Sequence, residues 1–309
     1  MELLKGAFEE MCKCSSWSLQ LLKISTSKSA GTKYASRQIQ LEPASEMASF
    51  IDEISKKYLS SGKGSLESYS DISDYDGTAS RTTIYRLKKD NVLIATEYDA
   101  FLAAVANPDV EADAFSYTSA FVLKGVISNG DDALPIKLIS MQSPITKLKQ
   151  KFQLLHASGK FSQIKDPILT LRTSIDVVII GDTIYFLTLA GENLFNMARA
   201  YKAVCHDAIT EVEATGIISD ADSFRAIAES GHNPRQFVSF DRARLNALKR
   251  TNTRKAMAKL FSIPLDENNR FDTTADGAAD RIVKLLCNKG MKDPFKNAAV
   301  EVSGAKQWQ

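Results

Sequence analysis

Cysteine, histidine and proline are scarce in this chain, which holds four, three and eight of them among 309 residues. Cys12, Cys14, Cys205 and Cys287 are too few and too scattered for a disulfide framework, and no secretory signal precedes them. Reduced thiols in a cytosolic protein are expected. Cys12-Lys13-Cys14 has no second Cys/His pair nearby, and His156, His206 and His232 lie far apart. A structural zinc site needs four clustered ligands, so no metal is expected. Nor does any apolar run approach the roughly 20 residues of a membrane-spanning helix. The longest candidate, Ile175 to Leu189, is split by Gly181-Asp182 and carries Asp176. Any membrane association must come through a partner.

Familiar catalytic signatures are also missing. The chain has no G-x-x-x-x-G-K-[ST] phosphate loop, no G-x-G-x-x-G after a strand and no G-x-S-x-G elbow. The nearest approach to a metal-dependent nuclease core is Asp166-Pro167 followed by Asp176 and Asp182. Such a core needs a second carboxylate and a lysine on the next strand, to hold magnesium and offset developing charge. That strand reads Thr183-Ile184-Tyr185-Phe186-Leu187 and offers neither. Asp176 and Asp182 therefore read as strand-end and turn residues. No catalytic residue and no cofactor is assigned.

What is present is a globular composition, 44 % apolar and 25 % charged, on a length that suits one large domain or two ordinary ones. The patterning predicts an α+β protein: a mixed, mainly antiparallel sheet region followed by a helix-rich C-terminal half. Alternation at Leu19-Gln20-Leu21 and Gln38-Ile39-Gln40-Leu41 suits half-buried strands. Pro43 then reads as part of the first turn of a helix whose stripe is Met47, Phe50, Ile51, Ile54 and Tyr58. Residues 62 to 80 are rich in Ser, Gly and Asp and read as a solvated polar loop. Its Asp71, Asp74 and Asp76 lack the pattern of a calcium loop. A helix carrying Ile94, Tyr98, Phe101, Leu102 and Val105 precedes two strands, Phe115 to Ile127 and Leu134 to Met141, joined by Asn129-Gly130-Asp131-Asp132.

Ser143 to Gly159 is basic and amphipathic, and a boundary is placed there, giving segments 1–145 and 146–309. Ile168 to Arg172, Ile175 to Ile180 and Thr183 to Leu189 follow as strands, the last two across a Gly-Asp turn. A long helix is expected over Glu192 to Ala214 and a short one after Asp220. Others follow near Asp241 to Arg250, Arg254 to Phe261 (capped by Thr253) and Ala275 to Asn288, with Gly290 as the last C-cap.

Charge carries the functional signal. The net charge is only +2, yet Arg235, Arg242, Arg244, Lys249, Arg250, Arg254, Lys255 and Lys259 face one acid, Asp241, within residues 235 to 259. The rest of the chain is therefore net acidic. A second basic stretch, residues 147 to 172, holds Lys147, Lys149, Lys151, Lys160, Lys165 and Arg172 against Asp166. At the helix joint, Lys249-Arg250-Thr251-Asn252-Thr253-Arg254-Lys255 gathers four cations around small polar side chains that can donate to phosphate oxygens. Basic outer faces of amphipathic helices are ordinary, but so uneven a distribution points to a polyanion. No base-reading motif accompanies it, so contact with the backbone is expected. Lys147, Lys149 and Lys151 join the eight later cations as candidate contacts.

The run Thr173-Ser174-Ile175-Asp176-Val177-Val178-Ile179-Ile180-Gly181-Asp182-Thr183-Ile184-Tyr185-Phe186-Leu187, then Asn193-Leu194-Phe195 and a long helix, resembles the KwaB-like family of Kiwa anti-phage defence. So does the later order of a short helix around Phe224, Arg235 to Phe240, the basic helices and Ile263-Pro264-Leu265-Asp266. The similarity covers the second half, and none of these motifs is catalytic. It implies a DNA-binding effector acting on phage DNA with a small multi-spanning membrane partner, KwaA. It also implies a cytoplasmic homo-oligomer held at the membrane through that partner. Two alternatives stand beside it: a divergent metal-dependent nuclease, and an interaction scaffold for acidic membrane or protein surfaces.

Overall fold

A computed structural model of the protein describes residues 1–14, 16–27, 31–43, 45–109, 118–129, 132–141, 145–146, 154–157, 160–163, 168–292 and 299–301. The chain is α+β, with a largely antiparallel sheet in its first part and helices dominating its second. It forms two compact units, Met1–Asp74 with Arg81–Asn196, and Tyr75–Ser80 with Met197–Gln309.

In the first unit, α1 (Glu2–Glu10) leads into β1 (Ser18–Ser27) and β2 (Gly31–Ile39), followed by α2 (Ser45–Leu59), β3 (Asp71–Asp74), β4 (Thr83–Lys88) and α3 (Ala95–Ala106). The hairpin β5 (Ala120–Asn129) and β6 (Asp132–Ser140) comes next. Four short strands follow, β7 (Ile145–Thr146) paired with β10 (Ile168–Leu169), and β8 (Leu154–Ala157) with β9 (Lys160–Gln163). The hairpin β11 (Val177–Ile180) and β12 (Thr183–Phe186) closes the series. Eight strands share one sheet in the order β2-β1-β5-β6-β11-β12-β4-β3, and only β3–β4 is parallel. Relative to the expected division at 145/146, β11 and β12 pack with the first unit, since β11 pairs with β6 and β12 with β4.

The sheet is covered on both faces, which explains why Val177–Ile180 is apolar without alternation and buried throughout. Leu19 and Leu21, Phe121 and Leu123, Leu138 and Val178 turn to one face, where Phe8 of α1 and Ile51, Ile54 and Tyr58 of α2 meet them. On the other face, Gln20 Nε2 donates to the Val105 carbonyl of α3 at 3.1 Å. Phe195 there meets Phe101 and Phe186 edge-on at 6.0 and 6.1 Å.

Several expectations are corrected. Pro43 precedes α2 and accepts from Glu46 N at 2.9 Å instead of entering the first turn. The long helix expected from Glu192 is a 3-10 helix (Leu189–Phe195), a left-handed Asn196 at φ 48°, and then α4 (Met197–Glu213). The polar stretch 62–80 contains the edge strand β3, and β4 follows it unforeseen. The start of the strand expected at Phe115 and the amphipathic reading of Ser143 to Gly159 fall mostly outside the described residues.

The second unit continues from α4 through α5 (Ala221–Ala228), α6 (Asn233–Gln236), α7 (Arg242–Leu248), α8 (Thr251–Leu260) and α9 (Ala278–Leu286) to β13 (Gly290–Lys292), paired with β14 (Ala299–Glu301). Cys205, Ile209 and Val212 of α4, Phe224, Phe237, Leu245, Leu248, Ile282 and Leu286 share its core. Asp220 and Asp241 cap α5 and α7, each accepting a main-chain N–H at 3.0 Å. The helix expected up to Asn288 ends at Leu286, where Asn288 takes the left-handed conformation and Gly290 opens β13.

Tyr75–Ser80 belongs to this unit rather than to a solvated loop. Tyr75 is buried and stacks parallel to Tyr201 with ring centroids 6.3 Å apart and the two hydroxyls hydrogen-bonded. The Arg235 guanidinium lies 5.6 and 5.9 Å from the two rings. Gly77 sits at φ 79°, and a Cβ there would come 2.3 Å from the Arg235 carbonyl oxygen. Buried Lys289 ties the segment down, donating to Thr78 Oγ1 at 2.7 Å with Asp76 at 3.7 Å.

Candidate nucleic-acid interface

The basic segment folds as two short helices whose apolar sides set the direction of its cations. Leu245 and Leu248 bury α7, and Ala258 buries α8, so residues on the opposite sides face solvent. α8 starts at Thr251 with Arg250 at the N-cap, which places Thr253 inside the helix rather than at its cap. The unpaired N–H groups of the first turn of α8 consequently begin beside Arg250.

The eight cations divide into two groups. Four are engaged by the fold. Arg235 stacks on the two tyrosines and donates to Thr78 O at 3.3 Å. Arg242 makes a forked pair with Glu211 of α4, at 2.6 Å for the shortest contact, and lies 5.8 Å from the Phe240 ring. The Arg242 bond holds the Glu211 carboxyl below its ordinary range. Arg244 donates to Leu285 O at 2.7 Å and approaches Asp241 at 3.9 Å. Arg254 is only 7 % exposed. It donates to the Asn269, Leu248 and Lys249 carbonyls at 2.6, 2.9 and 3.3 Å.

The other four, Lys249, Arg250, Lys255 and Lys259, are exposed and have no side-chain partner among the described residues. Lys255 and Lys259 are four apart on α8 and therefore share a face. Both line a shallow hollow of about 470 Å³ with Ala258 and the turn Ser262-Ile263-Pro264-Leu265. Lys249 and Arg250 flank the start of the same helix. Exposed Thr251 and Asn252 add hydrogen-bonding groups without adding negative charge. Such an arrangement can engage successive phosphates.

Lys147, Lys149 and Lys151 lie outside the described residues. Sequence reasoning did not anticipate that Glu211 would pair with Arg242, because that partner comes from another helix. Of the carboxylates considered for a nuclease core, Asp166 lies outside the described residues, and Asp176 and Asp182 are used locally. Asp176 is buried and accepts from Met141 N at 2.7 Å and from Thr188 Oγ1, while Asp182 pairs with Lys89 at 2.9 Å. Among the described residues no cluster of three His, Cys, Asp or Glu could hold a metal ion, and no helix is long and apolar enough to cross a membrane.

Fold and site together define an α+β protein whose second unit presents a small cationic helix joint. The family model described as Kiwa protein KwaB-like matches residues 128–292, more than half of the chain, and spans that joint. The chain belongs to the KwaB-like family and is a component of Kiwa anti-phage defence. No curated protein and no solved structure matches it.

Proposed function

We propose that the chain is a sequence-independent DNA-binding effector of Kiwa defence, with the joint of α7 and α8 as its phosphate-contacting surface. The observation that carries this reading is the set of four exposed cations without a side-chain partner among the described residues, Lys249, Arg250, Lys255 and Lys259, in a chain of net charge only +2. The remaining cations of the segment position helices, so they are left out of the contact set. Family membership supports phage DNA as the ligand. It also supports a cytoplasmic homo-oligomer held peripherally at the membrane by the multi-spanning protein KwaA.

If three to four phosphates are neutralised, log affinity falls against log salt with a slope of about −2.7 to −3.6. That is a loss of roughly 40- to 150-fold between 50 and 200 mM. Fluorescence anisotropy with two unrelated duplexes should give equal affinities and this slope. Replacing Lys249, Arg250, Lys255 and Lys259 by Gln should flatten the slope by about 0.9 for each contact removed. Wild-type affinity in the fourfold variant would reject the assignment.

A further inference from the structure

Two other cations meet in the first unit, where α2 ends beside the segment entering β11. Lys57 donates through Nζ to Ser174 Oγ and lies 5.9 Å from the Tyr58 ring. The glycine loop after α2 passes close by, where a Cβ on Gly64 would lie 3.9 Å from Lys57 Cε. Arg172 is held from the other side. Its Nη2 donates to Met141 O at 2.9 Å and approaches Ser140 Oγ and Asp176 Oδ2 at 3.4 and 3.5 Å. The side chain stays 48 % exposed, and its Nε and Nη1 have no partner among the described residues.

The carboxylate within reach cannot balance both cations. Asp176 has a side chain only 7 % exposed, and its oxygens already accept from Met141 N, Thr188 Oγ1 and Arg172. The Lys57 pKa is lowered, first by burial and then by the Arg172 guanidinium, against the pull of Asp176. Two adjacent cations and a hydroxyl, with the one carboxylate that meets them among the described residues turned inward, form a cradle that an oxyanion relieves.

We propose that Lys57, Arg172 and Ser174 form a binding site for a single phosphate group, either free or at the end of a nucleic-acid strand. Arg172 supplies two directed donors and Lys57 a point charge. Ser174 supplies a hydroxyl that turns from Lys57 to the ligand. The site is independent of the α7–α8 joint and stands or falls separately.

The test is calorimetric titration of the full chain with inorganic phosphate, balanced by chloride at constant ionic strength. Saturable binding is expected, weakened about tenfold or more in Lys57→Gln and in Arg172→Gln, and unchanged in Lys202→Gln, at an exposed position of α4. Affinity should also fall as pH rises through the lowered pKa of Lys57, a dependence lost in Lys57→Gln. A 5′-phosphorylated dinucleotide that binds more tightly than free phosphate, with its 5′-hydroxyl counterpart silent, identifies a strand end as the source. Equal binding of dinucleotide and phosphate identifies the free anion. Should Arg172→Gln lower the urea midpoint, Lys57→Gln decides, because Ser174 is the side-chain partner Lys57 has. Absence of saturable binding to about 20 mM phosphate, or wild-type affinity in Lys57→Gln, overturns the site.

Discussion

Arg254→Met tests whether that cation holds the fold instead of meeting the proposed DNA ligand. The substitution keeps an unbranched apolar stem in the core-facing position but removes the guanidinium from three main-chain carbonyls. Hydrogen bonds from a charged donor contribute about 1.5–3 kcal/mol each. The Leu248 and Lys249 carbonyls share Nη1, so two effective bonds are lost, those to Asn269 O at 2.6 Å and Leu248 O at 2.9 Å. The expected destabilisation is about 3–6 kcal/mol, a large part of the 5–15 kcal/mol typical of a domain. Arg254→Lys should fall between, since one ammonium cannot replace a planar fork. Urea unfolding followed by far-UV circular dichroism measures the change, and DNA affinity is measured below the transition. By contrast, Arg250→Met should leave the urea midpoint within about 0.5 kcal/mol of wild type while weakening DNA binding. An Arg254→Met protein with an unchanged midpoint and lost DNA binding would refute the reasoning.

Gly191→Ala should destabilise the first unit by about 1–3 kcal/mol in the same urea assay, because its Cβ would fall 2.4 Å from Val177 Cγ2 and 2.9 Å from Phe186 Cδ1. Asp241→Ala should lose about 1 kcal/mol at pH 7 through the cap on α7. The Arg244 N–H holds the Asp241 pKa below its ordinary value, so this contribution is present above the unfolded pKa of about 3.9 and fades as pH falls further. Variant and wild-type unfolding curves should therefore converge in acid. Burial pushes the Cys205 thiol up to about 12 and raises that of Cys287 as well. An aromatic disulfide reagent at mildly alkaline pH should titrate Cys12 and Cys14 in the folded protein and all four thiols in denaturant. Four fast thiols without denaturant would contradict the packing.

Much of the sheet was legible because periodicity and turn chemistry agree there. Leu19 and Leu21 alternate with Gln20, Asn129 and Asp132 close the β5–β6 register, and Gly181-Asp182 joins β11 to β12. Thr83–Lys88 escaped because its neighbourhood of Ser, Gly and Asp looked like a loop. Its strand character comes from pairing with β12, a partner far along the chain. The joint was legible as charge but not as geometry. Lys255 and Lys259 project outward as the helical spacing predicts, whereas Arg254 turns inward because the Leu248, Lys249 and Asn269 carbonyls converge on it. Carbonyl convergence leaves no trace in a charge count. Lys57 and Ser174 were likewise invisible as a pair, since no spacing rule links a helix end to a turn 117 positions later.

The segment Tyr75–Ser80 makes the helical unit discontinuous in the chain. During synthesis its closing piece emerges long before the helices it completes, so final assembly must wait for α4, α6 and the Lys289 region. A fragment starting at residue 128 would contain the whole family-matched span yet leave the Tyr201 ring, the Arg235 stack and the Lys289 ammonium uncovered. Such a truncation should be poorly soluble, and because it also lacks β1–β4 and nearly all of β5, supplying residues 75–80 in trans should not by itself rescue it.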